Sequence, residues 1–471
     1  MRYMRLMPFS HWERTSEGLR LTTPDKRLTL QPLPELEGVL EQLQKDRLPV
    51  TPLIQQLAAS GAATESTSSA MQTLWRVDRY FQDIGFSADL VRKGAFDPKY
   101  ALQRACYCMR ADLEIEGFGQ AADAELAMLK AVVEVYERLS CLRRHNDDLV
   151  VSSAGLPPCE WRKFFSYEEW QYGTLPLGRV PSGPWVSVQE VSSGKWYRIP
   201  EEMVFFLDVA MKQPVATTNS SGVACHTSYN EALLRSVYEL IERDALMVRW
   251  FREEPCAQII PPAELEHRVS RLEDLGFQCL FLNLTLELAP VVLVLLRREA
   301  DSFPRLILGM ASDPSPVKAM EKALEEVELN VTFAGMETAR IARPEDIRRT
   351  IDHQLWYDQP ENHALVLRMI GDELVEATNI AEGPRTVQQT GAQLASHGFS
   401  WFAGSLNQAG QRATGIHTVR SLVAGLTPIG FGFTMEPLGV ERLRNPIPSM
   451  GWGFSCSPRT TRNGYAVQPF A

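Results

Sequence analysis

Two stretches of this 471-residue chain repeat apolar residues at helical spacing around the same acidic triplet: VVEVYERLS, from Val132 to Ser140, and VYELIERDA, from Val237 to Ala245. In the second, a rotation of about 100° per residue puts Glu242 near 20°, Arg235 near 40° and Glu239 near 80° of Glu231. Leu233, Leu234, Val237, Leu240 and Ile241 gather on the opposite side, so a two-sided helix is predicted. The first stretch has the same phase: Met128, Val132, Val135, Tyr136 and Leu139 make the stripe, and Glu134, Glu137 and Arg138 the triplet.

Upstream, Leu19 to Gln31 alternates around a Pro24-Asp25 turn, the pattern of a hairpin. Two short helices follow, the second marked by Thr51 as N-cap, Pro52 in the first turn and Gly61 past the end. Residues 1–70 therefore read as a small hairpin-helix unit, winged-helix-like or a plain cap, and residues 71–471 as the main domain. From Gln72 on, helical and strand patterns alternate with no fixed-period repeat; Ser153 to Pro184 is loop-rich, and Leu280 to Leu284 and Val291 to Leu296 are apolar strands. The expected class is α+β, with mixed sheets packed by helices.

Composition narrows the partners. With a formal net charge of −10, pI near 5.5 and no basic block, neither nucleic acid nor an anionic membrane is expected as a partner. The start, MRYMRLMPFSHWER, lacks the apolar core of a signal peptide, and Leu288 to Arg298 is interrupted by Pro290 and too short for a membrane span, so a cytoplasmic protein is expected. Eight cysteines in such a chain read as reduced thiols, and Cys106-x-Cys108 lacks a second pair at zinc spacing.

Each acidic helix alone is explained by solvated i,i+4 pairs: Lys130 with Glu134, Glu134 with Arg138, Arg235 with Glu239, Glu239 with Arg243. Two such helices together are not. Five glutamates brought into one place repel unless a cation sits among them, and Mg²⁺, with oxygen ligands from carboxylates and phosphates, suits them. Arg138, Arg235 and Arg243 then suit phosphate oxygens, which makes a nucleotide site. The segment before the second helix, Thr217 to Ala232, is rich in small hydroxyl residues around Gly222, with Thr227 or Ser228 as the ordinary helix cap. Asp244, near 220° on the apolar side, requires a partner. Other nucleotide motifs fail: SSGKW at Ser192 to Trp196 is a turn, and GFGQAA at Gly117 to Ala122 follows RADLEIE, too charged for a Rossmann strand. No G-x-S-x-G or H-E-x-x-H occurs.

SSGVACHTSYNEALLRSVYELIERDALMVRW, Ser220 to Trp250, resembles the hallmark helix of YcaO-domain proteins; Gly117 to Ser140 is similar to that family's first E-x-x-E-R helix, and Ala311 to Asn330 to its third acidic helix. IDHQLWYDQPE, Ile351 to Glu361, is similar to a segment of the branch that makes thiazole and oxazole rings in ribosomal peptides. The resemblance implies a YcaO-type fold with an ATP site between helices and an ATP-dependent cyclodehydratase subunit acting on Cys, Ser or Thr of a precursor peptide. It further implies Mg²⁺ held by Glu134, Glu137, Glu231, Glu239 and Glu242, with Glu239, Glu242 and Arg243 at the chemistry and Arg138, Arg235, Ser221 and Thr227 beside ATP. The doubled triplet then forms two walls of one ATP site. Implied partners are a leader-binding protein, a flavin-dependent azoline dehydrogenase and a second copy in a homodimer within a complex. A thioamide-forming relative and a non-catalytic scaffold are the alternatives. Ring-forming members finish in P-x-P-x-P, of which the terminal VQPFA keeps Pro469.

Overall fold

The computed structural model describes the chain apart from residues 1–2, 17, 25–26, 31–35, 46–47, 50, 61, 65–67, 98–100, 111–112, 143–154, 161–183, 206–218, 299–302, 334–339, 434–440, 445–468 and 470–471. Two compact units emerge: residues 1–140 with 407–416, and residues 141–406 with 417–471. The loop-rich stretch expected at Ser153 to Pro184 and the terminal VQPFA lie largely outside the described residues; of the last five, Pro469 alone is described, and it is buried.

The first unit runs β1 (Tyr3–Leu6), β2 (His11–Thr15), β3 (Gly18–Thr22), β4 (Arg27–Leu30), α1 (Leu36–Lys45), β5 (Leu48–Pro49), α2 (Pro52–Ala59), β6 (Ala63–Thr64), α3 (Ser69–Asp83), β7 (Ser87–Asp97), β8 (Ala101–Arg110), β9 (Leu113–Ala121) and α4 (Ala124–Cys141). The hairpin predicted around Pro24-Asp25 is β3 paired with β4, Leu19 opposite Leu30. Thr51 caps α2 as its type and the following proline foretell, its Oγ1 accepting the Ile54 N–H at 3.3 Å. Leu6, Leu19, Leu21, Leu36, Leu40, Leu43, Ile54 and Leu57 close a core drawn from these first elements alone. Each such side chain contributes about 1.5–3 kcal/mol on full burial.

β7, β8 and β9 form an antiparallel sheet. β9 passes through LEIEGFGQA, whose charge excludes a buried Rossmann strand but not a strand with one exposed face. Alternation is the reason: Glu114 and Glu116 are exposed, while Ile115 and Gly117 are buried between them. The sheet is antiparallel, so GFGQAA opens no Rossmann unit.

The second unit runs β10 (Trp185–Glu190), β11 (Trp196–Pro200), β12 (Val223–His226), α5 (Tyr229–Arg252), β13 (Cys256–Ile260), α6 (Glu266–Asp274), β14 (Gln278–Asn283), β15 (Val291–Arg297), β16 (Leu306–Ser312), α7 (Pro316–Phe333), α8 (Thr350–Tyr357), α9 (Pro360–Leu367), β17 (Ile370–Glu376), α10 (Val387–Ser396), β18 (Ser400–Ser405), β19 (His417–Ala424) and α11 (Glu441–Arg444). Two five-stranded sheets result, in the orders β11-β10-β18-β19-β12 and β16-β15-β14-β13-β17. All pairings are antiparallel except β13 with β17. SSGKW is the turn between β10 and β11, with Gly194 at φ +70°.

α5 packs against β12 and β19 of one sheet and β15 and β16 of the other. That position explains its composition. Flanked by two sheets, its C-terminal half is buried all round, including Ala245, Leu246, Met247, Val248 and Trp250. Six of the cysteines are reduced thiols, five of them buried, and no helix of the described residues is long and apolar enough to cross a membrane.

Candidate functional site

The chain repeats one local device three times. In the first unit Glu134 reaches from α4 to β9, its Oε2 accepting the Phe118 N–H at 2.7 Å and its Oε1 meeting Arg138 Nη2 at 2.6 Å. Close approach is possible because a Cβ on Gly117 would stand 2.4 Å from the Ala131 carbonyl oxygen, and one on Gly119 2.2 Å from that of Ala127. In the second unit Glu326 reaches from α7 to β16, accepting the Met310 N–H at 2.6 Å beside Gly309, where a Cβ would stand 2.7 Å from the Ala323 oxygen. Both carboxylates accept from a residue sixteen positions upstream. The third instance is Glu239 of α5, whose Oε2 accepts the Gly222 N–H at 3.0 Å while Oε1 meets Arg243 Nη2 at 2.6 Å.

Burial raises the Glu134 pKa, against the opposing pull of Arg138 and the Phe118 amide. Glu137 lies partly buried one turn on from Glu134, and Arg138 also donates to the Glu116 carbonyl at 2.9 Å.

In the second unit, α5 sends one carboxylate to each sheet. Glu239 turns to β12 through Gly222, which holds φ +76° and whose Cβ would lie 2.6 Å from the Ser421 oxygen. Glu242 turns to the end of β16, accepting the Ser312 N–H at 2.9 Å. Burial raises the Glu239 pKa, opposed by Arg243, the Gly222 amide and Arg420. Glu242 is raised well above the ordinary range by burial and then by the like charge of Glu326, with Arg243 opposing. Arg243 completes the group: besides Glu239 it donates from Nη1 to Ser221 Oγ, and its guanidinium lies under the Phe431 ring at 6.0 Å.

The structure thus brings Glu239, Glu242, Arg243 and Ser221 together, and adds Glu326. Glu231, Arg235 and Thr227 lie elsewhere, exposed at and before the first turns of α5. A rise of 1.5 Å per residue sets Glu231 about 12 Å along the axis from Glu239, so the two face different parts of any ligand. His226, held down in pKa by burial and then by Arg235, accepts the Ser228 N–H through Nδ1 at 2.9 Å. Ser228 is the N-cap by position, yet its hydroxyl makes no capping bond, and Thr227 does not cap either.

Asp244, placed by the sequence on the apolar side, has its partner: Arg442 of α11 binds it through Nε and Nη2 at 2.8–3.0 Å, and Thr427 N donates to it at 2.7 Å. Within the Ile351 to Glu361 segment, Asp352, His353 and Tyr357 are built into the core here. Asp352 caps α8 by accepting from Arg348 N and Arg349 N, His353 Nε2 accepts the Gly432 N–H at 2.8 Å, and Tyr357 packs edge-on to Trp250.

Sequence reasoning placed Glu326 within the third acidic helix, Ala311 to Asn330, without singling it out, and named neither Asn219 nor Arg420 as a site residue. Glu326 had a signal: Ala319-Met320-x-Lys322-Ala323-x-x-Glu326-Val327 repeats Ala127-Met128-x-Lys130-Ala131-x-x-Glu134-Val135. Arg420, one basic residue in an apolar strand, had none.

Cation chemistry fits this donor set. Burial and then the like charges of Glu326 and Glu239 oppose ionisation of Glu242, and an oxygen-seeking divalent ion relieves that cost. Among the described residues no three His, Cys, Asp or Glu side chains already converge at metal-ligand spacing, since each of these carboxylates is turned onto a backbone amide.

Residues 118–427 match the family model of the YcaO cyclodehydratase, described as ATP- and Mg²⁺-binding. The comparison with curated proteins gave no match. Among solved structures the fold is similar to a heterocyclase in complex with substrate and cofactor, at 15% identity and TM-score 0.61, covering 81% of this chain and 56% of that one. It is similar to YcaO from Methanopyrus kandleri bound with AMPPCP and Mg²⁺, at 16% identity and TM-score 0.58, over 77% of this chain and 92% of that one. The Escherichia coli microcin synthetase McbBCD complex is also similar, at 13% identity and TM-score 0.53, over 71% and 86%. At these identities the likeness is one of fold, and the chain spans little more than half of the heterocyclase. The family model covers most of the chain, which belongs to the YcaO cyclodehydratase family.

Proposed function

We propose that this chain is the ATP-using cyclodehydratase subunit that converts Cys, Ser or Thr residues of a ribosomally made precursor peptide into azolines. The observation that carries the reading is the group of Glu239, Glu242 and Glu326 beside Arg243 and Ser221. In such a reaction a side-chain thiol or hydroxyl of the peptide adds to the preceding amide carbonyl. The oxygen of the adduct takes the γ-phosphoryl group of ATP, releasing ADP, and loss of phosphate together with the proton of the former amide nitrogen leaves the C=N bond of the ring. Protein chemistry here is positioning and charge neutralisation. Glu242 and Glu326 would hold Mg²⁺, Glu239 orients Arg243, and Arg243 with Ser221 meets phosphate oxygens. Mg²⁺ supplies neutralisation of phosphate charge when bound.

Glu134, Glu137 and Arg138, and Glu231, Arg235 and Thr227, belong to the same proposal from the sequence. So do a leader-binding partner, a flavin-dependent dehydrogenase, a homodimer within the complex, a cytoplasmic setting and the reading of residues 1–70 as a separate module. The deciding experiment is a search of the neighbouring genes for a short Cys/Ser/Thr-rich peptide, co-expression of the chain with it, and mass spectrometry of the product. Loss of one water per ring supports cyclodehydration. Exchange of oxygen for sulfur selects the thioamide reading instead, and an unmodified peptide with no ATP turnover leaves a scaffold.

A further inference from the structure

Arg420 sits in β19, directly opposite Val223 of β12, with 5% of its surface exposed. Its Nη1 donates to the carbonyl oxygen of Asn219 at 2.7 Å, and its buried Nε has no hydrogen-bond partner among the described residues. A guanidinium keeps its charge at any ordinary pH and is costly to bury; here the charge of Glu239 offsets part of that cost, and the Nη1 hydrogen bond is spent on a backbone carbonyl.

Asn219 is the knot of the turn that leads into β12. Its Oδ1 accepts the Ser221 N–H at 2.9 Å, its Nδ2 donates to the Ile429 carbonyl at 3.0 Å, and its own carbonyl is the one Arg420 holds. Three residues on, Gly222 at φ +76° donates its N–H to Glu239, accepts from Ser421 N at 2.7 Å and fixes the place of Ser221, whose hydroxyl meets Arg243. Release of the Asn219 carbonyl loosens this turn, and with it the Gly222 amide and the Ser221 hydroxyl. Glu239 and Arg243 then lose the partners that aim them.

We infer that Arg420 is a positioning residue for nucleotide binding: its Nη1 hydrogen bond to the Asn219 carbonyl holds the Asn219–Gly222 turn from the neighbouring strand and thereby sets Ser221, Glu239 and Arg243. The inference rests on the ATP-site reading above. Lysine at this place supplies the charge without the planar fork, and alanine removes both and leaves a guanidinium-sized space.

The test has two readouts on the full-length protein. Hydrogen exchange of the peptide covering residues 219–226 is measured without nucleotide, and Mg·ATP and Mg·AMPPCP binding by calorimetry. In Arg420→Ala the turn should exchange at least tenfold faster and nucleotide affinity should fall at least tenfold, with both restored by millimolar guanidinium. In Arg420→Met, which fills the space, guanidinium should restore neither. Arg420→Lys should be intermediate and serves if the alanine variant does not fold. Unchanged exchange in the turn, or equal loss of protection across β10 and β18, would overturn the clamp in favour of a general role in the sheet. If the wild-type chain binds no nucleotide, the ATP reading fails while the exchange result still decides the clamp. Faster exchange with unaltered nucleotide affinity would show that the turn does not serve the site.

Discussion

Arg442 grips Asp244 through Nε and Nη2 at 2.8–3.0 Å, and its Nη2 also meets Glu287 Oε1 at 2.6 Å. All three side chains are buried, and the Arg442 guanidinium lies 4.9 Å from the Phe399 ring centre. A charge on the apolar side of α5 is thereby explained by a residue near the other end of the unit's sequence. Arg442→Met leaves two buried carboxylates facing each other, so stability should fall by about 3–5 kcal/mol. Chemical denaturation checks this; a loss under about 1 kcal/mol, the worth of an exposed pair, would show that water reaches Asp244.

Glu242→Gln and Glu326→Gln should each raise the melting temperature of the nucleotide-free protein and lower Mg·ATP affinity. The Ser312 and Met310 amides keep an acceptor in the glutamine oxygen, while the burial cost of the Glu242 charge, or the repulsion by Glu326 that adds to it, is removed. Alanine at either place strands a backbone N–H and should destabilise by about 1–3 kcal/mol instead. Thermal melts with and without Mg·ATP separate the two effects.

Asp78 of α3 gives the first unit a pH dependence. Burial pushes its carboxyl up to about 6, although the Phe9 N–H, the Gln82 amide, Arg5 and His11 pull it down. An acid raised on folding binds more protons in the folded than in the unfolded chain, so its contribution favours the fold below about pH 4 and is lost as pH rises through about 6. At about 1.4 kcal/mol per unit, the loss is roughly 2–3 kcal/mol by neutral pH. Asp78→Asn should abolish that slope and slow hydrogen exchange around Phe9 at pH 7, with the asparagine oxygen still accepting its N–H. A slope that persists in the variant would move the effect to another group.

What the sequence made legible was local. The two faces of α5, the cap at Thr51, the β3–β4 hairpin and the apolar strands β14 and β15 each follow from residues within a few turns of one another, where periodicity records the environment. Long-range partners left no such record. Arg442 and Arg420 are single basic residues whose acceptors lie in distant segments, and residues 407–416 join the first unit across the sequence of the second. In β9 the charge argued only against a buried Rossmann strand, and alternation decides which of its residues face the core. Within the candidate site, Glu239, Glu242 and Arg243 were readable from one helix. Glu326 required comparing α7 with α4, and Glu231 shared their helical face but not their height along it.

The same small substitution should have opposite signs at two kinds of glycine. Gly38 lies inside α1 with nothing within 4 Å of the place an added methyl would take, so Gly38→Ala should stabilise by about 0.4–1 kcal/mol through the lost freedom of the unfolded chain. Gly119 of β9 lies on the backbone of α4, where a Cβ would stand 2.2 Å from the Ala127 oxygen and 2.5 Å from the Ala131 nitrogen. Neither neighbour is the end of a flexible side chain, so β9 must lift from α4. Gly119→Ala should therefore destabilise by about 1–3 kcal/mol or more. It should also open the Glu134 contact with the Phe118 N–H, which the same close approach sets. Gly309→Ala, against the Ala323 oxygen at 2.7 Å, should do the same to the Glu326 contact with Met310. Denaturation midpoints of the three variants, with hydrogen exchange at Phe118 and Met310, test the shared design of the two strand and helix pairs. If Gly119→Ala and Gly309→Ala prove as harmless as Gly38→Ala, close packing does not hold these glutamates in place.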